Sequence, residues 1–297
     1  MKKNVTAAGQ PKQKKRRTRA GEIWHRLKKN KGSMVGLTVI ICLILTAILT
    51  TLFVDYNEMI VKMDASQFMQ APSLEHPFGT DNYGRDMFWR TLYGSRYSLI
   101  IGIGATAISI CCGIFLGAIA GYFGGTVENI IMRAMDIFAS IPGILLGMVI
   151  VCVLGTNIQN LLLAVSVPSI PAFTRMTRAS ILTVRGQEYI EAARVIGMSD
   201  MRIIFTQIIP NSLSPLIVTA SSRIGSCTLS AAGLSFLGFG VPQPTPEWGA
   251  LISEGRNYFR TAPWLCFFPG LFIIITVLAF NLLGDGLRDA LDPKLKR

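Results

Sequence analysis

Residues 35–54 form a run of twenty side chains without a single charge. As a helix such a run rises about 30 Å, the thickness of a bilayer's hydrocarbon core. A chain carrying it does not fold as an ordinary soluble domain. Further apolar runs at 98–120, 137–154, 213–237 and 265–283 repeat the pattern, and a shorter one at 158–173 is interrupted by Pro168 and Pro171. Counting that run as a crossing, the expectation is an all-α integral membrane protein with six transmembrane helices. Only 15% of the residues are charged and 51% are apolar, which suits a membrane solvent.

The parity of the crossings matters because it decides where the basic residues fall. With six spans, the twelve Lys and Arg up to Lys31, Arg133, the five from Arg175 to Arg202 and the four from Arg288 onward share one side. Lys62, Arg85, Arg90, Arg96, Arg256 and Arg260 occupy the other, and Arg223 lies within a span. The positive-inside rule then places both termini in the cytoplasm of a bacterial cell, in its inner membrane. Without the fourth span, the charged stretch at 187–210 would face outward. The net charge of +12 therefore encodes orientation, with attraction to anionic lipid as a second role, and no nucleic-acid recognition fold accompanies it. The expected division is a basic arm with an interfacial helix (1–31), a first transmembrane helix with an outer loop (32–97), a core domain (98–284) and a cytoplasmic tail (285–297). The arm is low in complexity, is read as disordered, and is too long and basic to resemble a cleavable leader, so the first span is expected to stay as an anchor.

Catalytic signatures are missing. There is no GxxxxGK[ST] phosphate loop, no HExxH and no GxSxG, and only His25 and His76 represent histidine. The chain is expected to be no enzyme, to hold no metal or cofactor, and to draw any energy from a partner. Cys42, Cys111, Cys112, Cys152, Cys227 and Cys266 all lie in apolar runs without a CxxC pair, and they read as small buried hydrophobes.

The stretch QEYIEAARVIGMSDMRIIFTQIIP at 187–210 is a charged island between spans. Gly186 breaks the preceding run, Glu188 and Glu191 suit a first helical turn, and Gly197 is placed for a left-handed cap. Ser199 or Asp200 would cap a second helix that stops at Pro210. Ala193 and Gly197, four apart, share a face with almost nothing protruding, open to close approach by another chain or packed against its own neighbours. The fifth span is polar for a span, with Ser222, Arg223 and Ser226 among its residues. A guanidinium there costs about 2.5–3.5 kcal/mol on insertion scales, so Arg223 must face water, substrate or a partner, or snorkel. Gly113, Gly117 and Gly121, at intervals of four, form a ridge for close helix packing. In the outer loop, Asp81, Arg85 and Asp86 can cross-link a turn-rich stretch by charge-assisted hydrogen bonds, and Trp248 and Trp264 suit the membrane interface.

Glu191-Ala192-Ala193, Gly197 and Ile209-Pro210 resemble the EAA motif of ABC-importer permeases, with Gln207 where that motif has Ile and Ile209 where it has Leu. The stretches HPFGTDNYGRD (76–86), LSFLG (234–238), PTPEWG (244–249) and NLLGDGLRDALDP (281–293) resemble signatures of the dipeptide and oligopeptide branch, C-type subunit. Together they cover nearly all of the chain beyond its basic arm. The resemblance implies a type I importer architecture in which 187–210 is a coupling helix, with Glu191, Ala192, Ala193, Gly197 and Pro210 meeting an ATPase. It further implies a second homologous permease, two P-loop ATPase subunits that bind ATP and Mg, and an extracytoplasmic substrate-binding protein. Asp81, Arg85, Asp86 and Trp248 would then dock or gate that binding protein, and Arg223, Ser222 and Ser226 would line the peptide's path. Nickel, opine and glutathione importers share these motifs, and an ATP-independent transporter is the alternative from another class. Relatives of this kind carry a small residue at position 223 and a Glu at position 231, where this chain has Arg and Ala.

Overall fold

A computed structural model describes residues 19–291; the greater part of the basic arm and Asp292-Pro293 with the residues after them lie outside it. Apart from an isolated pairing of Thr80 with Asp86, the described residues contain no strand. A short amphipathic helix, α1 (Arg19–Lys29), buries Leu27 and lays Trp24 outward under the Lys28 ammonium, 5.1 Å away, as an interfacial segment should. Asn30 then caps α2 (Lys31–Phe53) by accepting from the Ser33 amide at 3.2 Å, and donates to Asp289 near the other end of the chain. Both termini therefore leave the described structure at one end of the molecule, the terminal end.

The longest helix, α3 (Met87–Phe123), starts where the Asp86 carboxylate accepts from the Phe88 and Trp89 amides, and stops at Gly124 with φ +69°. Its first turns meet the π-helical turn that follows α2 (Tyr56–Val61) through the Tyr56 and Tyr93 rings, 5.4 Å apart, so it runs back to the terminal end. After it come α4 (Gly125–Ser140), α5 (Gly143–Leu154), α6 (Ile158–Ser166), a 3₁₀ turn, and α7 (Ile170–Arg185). The glycine ridge of α3 lies against α7: a Cβ on Gly113 would sit 2.3 Å from the Phe173 Cβ, and one on Gly117 2.6 Å from the Thr174 carbonyl oxygen. Only bare backbone allows that approach, which supplies the dispersion contacts that hold helices together in lipid. Glu128 pairs with Arg178, and Asp136 with Arg175, fastening α4 to α7.

Two short helices, α8 (Glu188–Val195) and α9 (Asp200–Ile203), precede α10 (Ile209–Leu234); α11 (Trp248–Gly255) and α12 (Trp264–Leu291) complete the chain. Four helical runs are long and apolar enough to cross a membrane: Lys31–Phe53, Met87–Phe123, Asp200–Phe239 and Trp264–Leu291.

The structure departs from the expected elements in three places. The expected polar turn at 121–136 is the start of α4, which meets α5 at a 90° bend where Ile141 and Pro142 leave the helical geometry, making at most a fifth, broken crossing. Pro142 has no N–H to continue the ladder and biases Ile141 to extended backbone. The run 158–173 is divided by the 3₁₀ turn around Pro168, so no single long apolar helix forms there. The third departure is at Pro210, where the second coupling helix continues into α10. The preceding turn, Ile204–Ile208, is a π-helix in which the Ile209 amide bonds the Ile204 carbonyl, five residues back. That widening makes room for the proline ring, and the Asn211 amide group takes the Gln207 carbonyl at 2.6 Å. Cysteine burial also differs: only Cys227 is buried, while Cys42, Cys111 and Cys152 are exposed on helix flanks.

Candidate functional site

At the terminal end, the segment after α7 is built as a bracket. Gly186 ends α7, and α8 begins with Glu188 and Glu191 in its first turn. Gly197 closes α8 at φ +80°: its amide bonds the Arg194 carbonyl at 2.9 Å, and that of Met198 the Ala193 carbonyl at 3.1 Å. This is the paired bond pattern of a Schellman cap, for which glycine is the cheapest residue. One face of the bracket buries Ile190, Ala193, Ile203, Ile204 and Ile208 against Ala118, Tyr122 and Ile181. Ala193 is therefore turned inward: its small side chain lets α8 lie close to the ends of α3 and α7. The Tyr122 hydroxyl donates to the Asp200 carboxylate at 2.5 Å, and the Arg194 guanidinium covers the Tyr122 ring at 5.1 Å. Asp200 is thus tied to α3, and neither it nor Ser199 caps α9 through its side chain.

The opposite face is unexpected from composition. Val195 is 87% exposed and Ile196 76%, with Tyr189, Met201 and Phe205 exposed nearby and Glu191, Ala192 and Gly197 among them. Beyond Gly197 and its two chain neighbours, no heavy atom lies within 4 Å of a Cβ built there. An apolar ledge with open space beside it at Gly197, on the polar end of a membrane protein, is the signature of a surface another protein covers. Sequence reasoning selects Glu191, Ala192 and Gly197 but not Val195, Ile196 or Phe205. The available signal was apolar residues in α8 and the following turn that fall off the Ile190–Ala193 face. Pro210 is exposed beyond the π turn.

In α10 the polar residues separate by direction. Ser221 and Thr228 are buried and bond backbone carbonyls of their own helix. Arg223 and Ser222 are half-buried, Ser226 and Ser230 exposed. Arg223, Ser226 and Ser230 share a stripe at i, i+3, i+7. Arg223 makes no hydrogen bond or ion pair among the described residues, although it lies near the middle of the 40-residue run Asp200–Phe239. Beside the stripe, Ser230 and Gly233 line a cavity of about 310 Å³ whose other walls are Gly143 and Ile144 past the Pro142 bend, and Pro168 and Ser169 at the 3₁₀ break. Ala231, by contrast, is packed among Ile101, Val151 and Leu161.

At the far end, the outer-loop residues do something other than face a partner. The Asp81 carboxylate accepts from Arg85 Nε at 2.6 Å and Arg90 Nη1 at 2.5 Å, and Glu254 of α11 accepts from Arg85 Nη2 at 2.8 Å and Arg90 Nη1 at 3.0 Å. The arginine side chains are 1% and 0% exposed, and the two charges of each sign cancel. Asp86 is spent on capping α3 and on the His76 ring, 2.9 Å away. Trp248 is 0% exposed in the core, its indole donating to the Thr91 carbonyl at 2.9 Å. Asp81, Arg85, Asp86 and Trp248 thus staple the outer loop to α3 and α11. Asp81, Arg85 and Trp248 are buried away from the surface, and Trp248 from the interface, while Asp86 is half-buried. Arg90 and Glu254 carry no signal in the sequence: 164 residues separate them, and no local pattern links them.

A family model described as the binding-protein-dependent transport system inner membrane component matches residues 113–297, and one described as the N-terminal TM domain of oligopeptide transport permease C matches residues 18–72. The chain is 45% identical to the dipeptide transport system permease protein DppC of Alkalihalophilus pseudofirmus, over 93% of this chain and 90% of that one. It is equally, 45%, identical to the glutathione transport system permease protein GsiD of Escherichia coli, over 94% and 92%. Among solved structures, an inward-facing form of the MetNI methionine ABC transporter matches with a TM-score of 0.52, covering 69% of this chain and 97% of that one at 21% identity. At that identity the likeness speaks for the fold alone.

Proposed function

The chain belongs to the family of binding-protein-dependent transport system inner membrane components, and from that premise we propose that it forms half of the translocation pathway of an ATP-driven importer of di- or oligopeptides. A second permease would complete the pathway, two P-loop ATPases would bind ATP and Mg at the terminal end, and an extracytoplasmic binding protein would deliver substrate at the other. The chain itself performs no hydrolysis. The observation that carries this reading is the apolar ledge around Val195, Ile196 and Gly197, backed by a packed cluster that ties α8 to α3 and α7. A push on the ledge reaches two long helices through Tyr122, Ile181 and Asp200 without crossing a loose joint. The five basic residues from Arg175 to Arg202 lie on the segment that carries the ledge, which supports a cytoplasmic position for both termini.

ATP-driven closure of the ATPases would displace the bracket, and the elements broken at Pro142 and Pro168 would serve as hinges, as rigid-body gating in membrane proteins requires. Arg223, Ser222 and Ser226 would line the path, the guanidinium meeting a peptide carboxylate or carbonyls. Glutathione is a second reading with equal support in identity, and it too is a peptide; nickel and opines stay within the same class of importer.

Co-purification of the tagged chain with its partners, followed by ATP hydrolysis with and without peptide-loaded binding protein, tests the assignment. Stimulation by loaded binding protein supports it; solute transport by the chain alone, without ATP, sinks it. In the same preparation Arg223→Ala should lower peptide uptake about tenfold or more, since a charge-assisted contact contributes roughly 1.5–3 kcal/mol, while leaving assembly intact. Unchanged uptake kinetics would remove Arg223 from the path.

A further inference from the structure

On the flank of the molecule away from α10, α2 and α3 enclose an open groove of about 650 Å³. Ile44, Ile48 and Leu52 form one wall, Ile100 and Ile103 the other, and Arg96 closes one end. The guanidinium rests near the Tyr97 ring, 5.8 Å from its centroid. It has no carboxylate and no hydrogen-bond acceptor among the described residues.

The level of Arg96 can be read from its neighbours. It lines the groove together with Thr51 and Leu52, next to the last residue of α2, Phe53. A 23-residue helix rises about 34 Å, slightly more than the hydrocarbon core, so its ends reach the headgroups. Tyr56, Tyr93 and Tyr97 lie in a chain at the same level, with centroid separations of 5.4 and 6.0 Å, as aromatic belts do at a membrane interface. From Leu52 back to Ile44 the groove runs about 12 Å along α2, most of the depth of one leaflet.

We propose that this groove is a binding site for a single phospholipid of the outer leaflet, with one acyl chain between α2 and α3 and the phosphate on Arg96. An acyl chain gains little by leaving other lipid for an apolar groove, since lipid tails are as apolar as leucine. The chain therefore supplies shape, and the Arg96–phosphate pair supplies affinity through a bidentate, charge-assisted contact. A helix of another protein would fill the groove equally well by shape, but it would need an acceptor for the guanidinium at the interface, which a phosphate provides in any bilayer. The inference rests on α2 crossing the membrane and, for the choice of leaflet, on the cytoplasmic placement of the terminal end proposed above; it is independent of substrate and of ATP coupling.

Native mass spectrometry of the complex reconstituted from phosphatidylglycerol vesicles reads the site directly. A lipid adduct should survive delipidation in the parent protein, fall at least tenfold in Arg96→Gln, fall likewise in Ile48→Trp, which plugs the groove, and persist in Arg260→Gln, an outer arginine away from it. Peptide-stimulated ATP hydrolysis by the same samples reports separately on the transport reading. Equal adduct retention in both groove variants, or a photo-crosslinker at position 48 that captures the second permease in place of lipid, would overturn the proposal.

Discussion

Gly197→Trp should leave the chain in the membrane and abolish stimulation of ATP hydrolysis by loaded binding protein. Two effects combine. The position has φ +80°, and a residue with a Cβ there costs about 1–2 kcal/mol, which shifts the closed cap's population by roughly 5- to 30-fold. The indole would also project beside Ile196 into space that is open beyond the neighbouring residues, where a docked protein would lie. Conservative variants separate the two. Gly197→Ala carries the backbone cost with almost no bulk and should retain part of the coupling; Gly197→Asn, which tolerates the left-handed region, should retain more. Equal activity of all three variants and the parent would show that the ledge is not a docking surface. Expression and membrane insertion are the control, because Gly197 lies in none of the runs long and apolar enough to cross the membrane.

Arg90→Ala has the second large effect, on stability. It leaves Asp81 and Glu254 with one guanidinium between them inside a site that is nearly free of water. Breaking a buried ion-pair network by removing one partner costs about 3–5 kcal/mol, chiefly the penalty of an uncompensated charge. The expected result is a collapse in the yield of monodisperse protein and a lowered thermal transition. Removing one charge of each sign, as in Arg90→Ala with Glu254→Ala, should recover part of that loss. If Arg90→Ala alone unfolds at the parent temperature, the network does not hold α11 to the outer loop. The same arrangement explains why the stretch 76–86 reads as a docking motif in sequence yet keeps Asp81 and Arg85 inside the protein. Its charged residues bind each other and Glu254 across the fold.

What could be read from sequence follows from how local each interaction is. The cap at Gly197, the carboxylates at the start of α8 and the ridge of Gly113, Gly117 and Gly121 depend on spacings within a few residues. They are visible as patterns; the structure gives the cap and the ridge their partners and leaves Glu188 and Glu191 exposed. The inward turn of Ala193 depends on where Ile181 and Tyr122 lie, and no spacing within 187–210 contains that. Proline was misleading in a specific way. At Pro142 the chain bends by 90°, whereas at Pro210 a π turn absorbs the ring and the helix continues; the difference lies in the hydrogen bonds of the preceding turn. Polar residues of α10 look alike in sequence, but Ser221 and Thr228 satisfy themselves on their own helix, while Arg223 has no partner among the described residues. Only packing distinguishes those that hold the bundle from those that can meet a solute.

The central claim is that force enters through the face carrying Val195 and Ile196, and a photo-reactive amino acid placed at single positions in the assembled complex tests it most directly. Position 196, on the exposed ledge, should give an adduct with a P-loop ATPase, and the yield should change when ATP is bound. Position 190, buried behind it, and position 53, at the far end of α2, should give none. An ATPase adduct from position 53, or none from position 196 in a complex that hydrolyses ATP, would contradict the account.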